Sequence, residues 1–541
     1  MTHFNHFLVA SLLLFCSCGV FLQDRATKNF KDPVTKTAYY KSLNRYQQDF
    51  FYLKTICDKY FPKADNFFPS DDRIKKEQEI LTKLDKNEIT DWEFRLHLKS
   101  YLSHFNNQHT HVGLKGLSVT GIYPFIPFHT DSSWYILNLT KNHDFSLTGK
   151  KIIAFNDVKI SEYEKKLFEF VSAENETSKR ERILFWWNRP TLHEFIHGHK
   201  MDSVKLTFET GQHLWLKKVT GQKLSWQRNE QAFGGHPITR YRDRMYDYQI
   251  IDSLKLTYLQ LHECYDKIEI MEGIKSYVKP WLRPMANRYV NKQISKKKPS
   301  KKLKNYFDSE RPVFHEYVSK MIEESNHAGS TKLIIDLRNN NGGSELICLQ
   351  LLYHLTENEN LKDFSVYVKN GDFYKHYFEK DYALKMDFYR KQNGKEPVQD
   401  SLFFGGFSNS EQSLFDKITN PESPYYIPKD RPVFKGRIAI IADYSTHSAG
   451  ALFTALLQDN KIGSVIGTEV SNNPTGPTTW TPFKLPHSKI EASISTHLLV
   501  RPDSKKSTQF IPDIKMEKSV DDIINGKDPL FEKALEIIRK E

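Results

Sequence analysis

The stretch that most restricts this chain is RIAIIADYSTHSAGALFTALLQDN, residues 437–460. It opens on an apolar, β-rich run, Ile438 to Ala442, the pattern of a strand buried on both faces. A polar turn, Asp443 to His447, follows. Leu452, Phe453, Leu456 and Leu457 then recur at helical spacing. Ser448 stands where strand passes into helix. A hydroxyl there meets unpaired backbone N–H groups and the positive end of the helix dipole, both of which favour a developing negative charge. Ala449 and Gly450 are small enough to let a substrate approach the backbone. The plainer reading is a helix cap, because serine is a preferred N-cap and capping serines far outnumber nucleophiles.

A second stretch, KLIIDLRNNNGGSELI at residues 332–347, repeats the plan: a buried-strand run, a polar turn with paired glycines, and a helical start. Gly342 and Gly343 have access to backbone angles closed to other residues, so their N–H groups are free to point into a cleft. One unit offers N–H donors and the other a hydroxyl, the two halves of an oxyanion hole beside a nucleophile. The alternative is an ordinary strand-to-helix turn.

These motifs resemble a known family. DLRNNNGG is similar to the D-L-R-x-N-x-G-G signature of the C-terminal-processing (tail-specific) and tricorn-core serine peptidases, and THSAG resembles their nucleophile turn. GTEVSNNPTGPTTWTPFKLPHSKIEASIST (467–496) and IPDIKMEKSVDDIINGKDPLFEKALEII (511–538) resemble the segments that follow in that family, in the same order. The resemblance covers most of the chain past about residue 250 and implies an α/β catalytic core of ClpP/crotonase-like type over 250–541.

At 541 residues the chain exceeds one domain, and 39% hydrophobic and 13% aromatic content argue for packed cores rather than disorder. The formal charge of +12 would suit nucleic acid. Much of that excess sits in NKQISKKKPSKKLKN (291–305), which reads as a solvated surface loop. No nucleic-acid-binding motif accompanies it, so nucleic acid is not expected as a partner. Phe7 to Leu22 is apolar, but short and rich in Cys, Ser and Gly for a membrane span, and it reads as a targeting segment. LLLFCSCG resembles the end of a bacterial lipoprotein signal (1–18), with Cys18 as the lipidated residue and Cys16 as the alternative; a secretory signal cut near Gly19 is the other reading. Either way the mature protein is expected outside the cytoplasm, in the periplasm or on the outer membrane, touching a membrane only through such an anchor. Beyond this segment Cys57, Cys264 and Cys348 are too few and too far apart for a disulfide framework. No Cys/His cluster has metal-ligand spacing, and no metal or other cofactor is implied.

Residues 25–112 read as a helical domain. Tyr46, Phe50, Leu53, Ile56 and Cys57 keep a helical period, and Thr90 or Asp91 caps the helix that begins near residue 91. Residues 113–225 read as a β-rich module, and LTGKKIIAFNDVKISEYEKKLFEFV within it resembles the core strand and helix of a PDZ-like module, whose groove binds peptide by strand addition. An insertion at about 359–430 separates the glycine turn from the nucleophile turn and is expected to form a lid or a substrate wall.

A serine needs a base within hydrogen-bond reach. In the tail-specific branch that base is a lysine; Asn473 stands in its place here, and Lys461 and Lys484 fall outside the motif. The tricorn-like branch uses histidine in a D-x-H-T motif, and NNQHTHVGL matches it with His109 and Thr110, although Asn107 replaces the family's Asp. Composition alone does not choose among His104, His109 and His111. The branch's supporting Ser and Glu are not found, Gln108 standing at the first position; Glu491 and Asp503 are substitutes for the second, and His447 lines the pocket or packs. The resemblance thus implies a serine endopeptidase acting on proteins or peptides in the cell envelope. Ser448 is the nucleophile, His109 the base, and Ala449 with Gly342 or Gly343 the oxyanion donors. The rival is a lipoprotein that keeps the fold and binds peptide or protein without cleaving it, and a weaker third reading is a surface binder acting through its basic loop.

Overall fold

Asn44 starts the first long helix: its side chain accepts from the N–H groups of Tyr46 and Gln47, and Gln47 returns the bond. That helix, α1 (Arg45–Tyr60), is followed by α2 (Ser70–Leu84) and α3 (Asp91–Ser103), the last capped by Thr90 with Glu93 answering. The computed structural model describes residues 29–85, 89–113, 121–130, 132–220, 224, 226–227, 236–240, 244–294, 312–408 and 413–540. The targeting segment with Cys18, and residues 295–305 of the basic run, lie outside the described residues.

The helical period seen in the sequence is the buried face. Phe50, Leu53 and Ile56 pack with Phe94, Leu98 and Tyr101, and the same cluster runs on to Phe483, Ile490 and Ile494 far along the chain. The helices therefore share one core with the segment from Phe483 to Ile494 rather than closing around a core of their own. After α3 the chain forms the short strand β1 (His111–Val112), paired antiparallel with residues 492–493.

The β-rich module is an antiparallel sheet in the order β2 (Phe125–Thr130), β3 (Ser133–Thr140), β4 (Lys151–Phe155), β5 (Ser203–Phe208) and β6 (His213–Lys217). Three helices lie within it, α4 (Ile160–Phe168), α5 (Glu176–Ile183) and α6 (Pro190–His197). Its core centres on Trp134, Tyr163, Ile183 and Trp187.

An α/β core carries the site. Strand β7 (Tyr246–Ile251) runs antiparallel to β8 (Leu256–Leu261), and β8, β9 (Lys332–Asp336), β12 (Arg437–Ala442), β13 (Ser464–Gly467) and β16 (Ile514–Lys515) follow in parallel. Alternation decides which face each residue takes. Leu333, Ile335, Ile440 and Ala442 enter one core with α7 (Phe314–His327), α8 (Glu345–Leu355) and α10 (Ala449–Asp459). Ile334, Ala439 and Ile441 enter the other, covered by α11 (Pro529–Lys540). Both faces are thus dry, as the apolar runs in the sequence require. A second, antiparallel sheet is built by β10 (Ser365–Lys369), β11 (Leu402–Phe407), β14 (Gly476–Lys484) and β15 (Glu491–Val500), with β1 on its margin. Between β10 and β11 lies α9 (Glu379–Asn393). Among the described residues no helix is long and apolar enough to cross a membrane.

Candidate active site

Strands β9 and β12 are neighbours, with Ile334 opposite Ala439, so the turns that follow them leave the same edge of the sheet. In open parallel sheets that carboxyl edge is where sites form. The two turns are laced together. Thr446 Oγ1 donates to Leu337 O at 2.9 Å, the N–H of His447 to Asn340 O at 2.7 Å, and the N–H of Asn339 to Ser445 Oγ at 2.7 Å.

Ser448 occupies the N-cap position of α10, yet its side chain makes no capping bond. Its backbone, at φ 50 and ψ −124, lies in a region that side chains other than glycine seldom adopt. Two contacts hold it there. Its N–H donates to Asn472 Oδ1 at 2.6 Å, and the Cα of Gly342 presses so close that a Cβ on Gly342 would stand 2.5 Å from Ser448 Cβ. Only glycine fits at 342, for space and for its φ of +86.

The glycine pair divides its labour. The N–H of Gly342 donates to Asn340 Oδ1 at 2.7 Å, which corrects its candidacy as an oxyanion donor: the group is already bound. Among the described residues the N–H groups of Gly343 and Ala449 meet no acceptor, and both residues line the same cavity as Ser448. Asn340 is itself fixed by a 2.7 Å bond from Nδ2 to Leu261 O, and Gly450 leaves room for it, since a Cβ there would lie 2.4 Å from Asn340 Oδ1.

Of the three neighbouring histidines only His109 lines that cavity. His104 turns its Nδ1 to Ser100 O and stacks on Phe68; His111 turns its own to Gln108 O. The imidazole of His109 makes no hydrogen bond among the described residues, its Nδ1 being buried without a partner. Burial, and after it the charge of Arg182, lowers its pKa to about 4. The ring is therefore neutral at physiological pH. Its turn is anchored by Asn107, which is fully buried and donates to Pro477 O at 2.7 Å while accepting from Thr110 and Ser495. Gln108 faces away, accepting from Arg182 Nη2 at 2.5 Å.

The cavity holds about 350 Å3. One wall comes from the insertion, through Val366, Phe378, Asp381, Lys385 and Ser408, so that segment is a wall of the pocket. Lys385 is paired with Asp381 at 3.9 Å, and Asp381 with His497 at 3.5 Å. Lys461, Lys484, His447, Glu491 and Asp503 are not among the lining residues. Among the described residues no group of three or more His, Cys, Asp or Glu is arranged to hold a metal ion.

Residues 305–516 match the sequence profile of peptidase family S41. The chain carries an S41 peptidase domain. By that domain it is a serine-type peptidase, a hydrolase of protein or peptide substrates. The S41 domain and its flanking parts share their fold with mature CPAF, at a TM-score of 0.60 and 14% identity over 93% of this chain and 97% of that one. Mature CPAF complexed with lactacystin gives the same TM-score and identity, covering 93% of this chain and 100% of that one. A serine-to-alanine mutant of CPAF gives 0.56 at 14%, over 93% and 98%. Among curated protein sequences none matches the chain.

Three residues that touch the site of the S41 domain escaped sequence reasoning. Asn340 and Asn472 sit within the motifs, but nothing in their spacing says that one takes the N–H of Gly342 and the other that of Ser448. Glu174 comes from the β-rich module and lines the same cavity; its Oε2 accepts the N–H of Asn473, the residue standing where the lysine branch has its base.

Proposed function

We propose that this chain cleaves peptide bonds with Ser448 as nucleophile and His109 as general base. Ser448 Oγ attacks the carbonyl carbon, His109 takes the hydroxyl proton, and the N–H groups of Gly343 and Ala449 receive the oxyanion. His109 then returns the proton to the leaving amine and activates the water that frees the acyl-enzyme. The observation that carries this reading is a single one. A serine hydroxyl and two N–H groups that meet no partner among the described residues, together with a neutral histidine, all line one cavity.

Labelling with a fluorophosphonate probe tests it. Wild type should label, and Ser448→Ala and His109→Ala should not. Loss with Ser448→Ala alone would retain the nucleophile and return the search for a base to Lys385, the one lysine among the cavity's lining residues.

A second reading, a binder that keeps the fold without cleaving, is favoured by one observation: no hydrogen bond joins Ser448 Oγ to His109, whose Nδ1 is unsupported. Folded protein that binds peptides but never labels would establish it. For the finer fold we read the α/β core as ClpP/crotonase-like and the sheet of residues 125–217 as PDZ-like, holding peptide by strand addition. For location, the apolar run before Cys18 supports export to the envelope and lipidation, which fatty-acid labelling lost in Cys18→Ala would test.

A further inference from the structure

We propose that Glu174 is a positioning residue of the peptidase site. One carboxylate, supplied by the β-rich module, fixes the turn that carries His109 against the turn that anchors the N–H of Ser448. The inference rests on the Ser448–His109 reading above and adds to it a group from outside the S41 motifs.

The bonds run to both sides. Toward the base, Glu174 Oε1 accepts from Nδ2 of Asn107, two residues before His109, at 3.2 Å. Toward the nucleophile, Oε1 accepts from Asn472 Nδ2 at 3.4 Å and Oε2 from the N–H of Asn473. Asn472 is the residue whose Oδ1 receives the N–H of Ser448 at 2.6 Å. The path from nucleophile to base is therefore Ser448, Asn472, Glu174, and the turn of Asn107 and Gln108. The carboxylate does not bond the imidazole, so it acts on alignment.

Its neighbours in the chain grip the same two turns. Asn175 Nδ2 donates to Val470 O at 3.0 Å, Ser178 Oγ to Ser471 O at 3.0 Å, and Lys179 Nζ to Asn106 Oδ1 at 2.8 Å. A structural tie would need none of this aimed at the cavity, yet Glu174 lines it beside Ser448 and His109.

Three donors suit the ionised form, because a carboxylate offers acceptor sites on both oxygens while a protonated one gives part of that capacity up. Burial pushes its pKa up to about 8 against the pull of those donors and of Arg182. The charged and titratable groups that line the cavity with it are His109, Glu345, Asp381, Lys385 and His497, and Arg182 is near enough for its charge to act on the carboxyl. As pH rises through about 8 the carboxylate ionises and grips all three donors, so reaction at Ser448 should quicken there.

The test is the fluorophosphonate labelling rate of the full-length chain as a function of pH, in wild type, Glu174→Gln and Glu174→Asp, each with its thermal unfolding midpoint. Wild type should show an alkaline rise near pH 8 that Glu174→Gln lacks. Glu174→Gln should also label about 100-fold more slowly at the plateau, the scale of an ångström-sized misplacement, and Glu174→Asp should restore the rise and part of the rate. Should the Gln variant fail to fold, the Asp variant still has to keep the rise while slowing the plateau. Labelling of Glu174→Gln at the wild-type rate, or an alkaline rise that persists in it, overturns the proposal while leaving Ser448 and His109 in place. Absence of labelling in folded wild type overturns the reading of the site itself, and this proposal with it.

Discussion

Gly342 gives its N–H to Asn340 Oδ1 at 2.7 Å, and in doing so it stops being a donor to substrate and becomes the surface on which Ser448 rests. Gly342→Ala should therefore hurt twice. An added Cβ would stand 2.5 Å from Ser448 Cβ, and a φ of +86 is strained for alanine. The expected result is a loss of labelling at Ser448 together with a destabilisation of about 1–3 kcal/mol. Labelling kinetics and denaturant unfolding on the same sample check both, and an active, unperturbed Gly342→Ala would refute the close approach.

Asn472 is the second support. Removing its side chain strands a partly buried N–H and frees Ser448 to leave its strained backbone angles. Asn472→Ala should lower stability by about 1–3 kcal/mol, the cost of an unsatisfied group. It should slow labelling by about 100-fold, as a displaced nucleophile would. A rate near that of wild type would mean that the strain is held by Gly342 alone.

The legible parts of this molecule are those set by neighbours in sequence. The runs at 333–336 and 438–442 announce strands because both faces of each are buried, and Ser448 is found because it stands at a strand-to-helix junction. The helices α5 and α6 were not legible in a module read as mostly β. ETSKRERI has no apolar stripe, and α6 is a short run opened by Pro190. The site's cross-links were the least legible. Glu174 lies 299 residues from Asn473, and no local pattern encodes a contact at that range. The choice of His109 over His104 and His111 is likewise a matter of which side chain faces the cavity, which the surrounding turn decides.

The lowered pKa of His109 has a direct consequence for pH dependence. Burial and the nearby Arg182 keep the ring neutral down to about pH 4, so the base stays competent well below the ordinary histidine range. The labelling rate should fall on the acid side with a midpoint near 4 rather than near the ~6.5 of a free imidazole. Arg182→Met removes a cation facing the ring and should move that midpoint upward. A midpoint unchanged in Arg182→Met would exclude the guanidinium as a cause.

The DLR turn depends on a charge cluster at some distance from the nucleophile. Arg338, nearly buried, contacts Asp336 at 2.5 Å and Asp528 at 2.9 Å, and Asp528 also meets Lys518 at 3.2 Å and Thr239 Oγ1 at 2.5 Å. Burial alone would raise the Asp528 carboxyl, but the charge of Arg338 overrides it and holds the group well below the usual carboxylate range. A depressed folded-state pKa contributes stability that is present above the unfolded value and lost as pH falls toward the folded one. Stability should thus hold at neutral pH and begin to decline below about 4, where the unfolded chain takes up the proton first. Asp528→Asn leaves the guanidinium with one carboxylate, and the expected cost at neutral pH is about 3–5 kcal/mol, the range for breaking a buried pair from one side. Because Arg338 lies four residues before Gly342 in the turn that rests against Ser448, the same variant should also slow labelling in the fraction that remains folded. Equal stability of Asp528→Asn and wild type at neutral pH would show that Asp336 alone suffices to hold the turn.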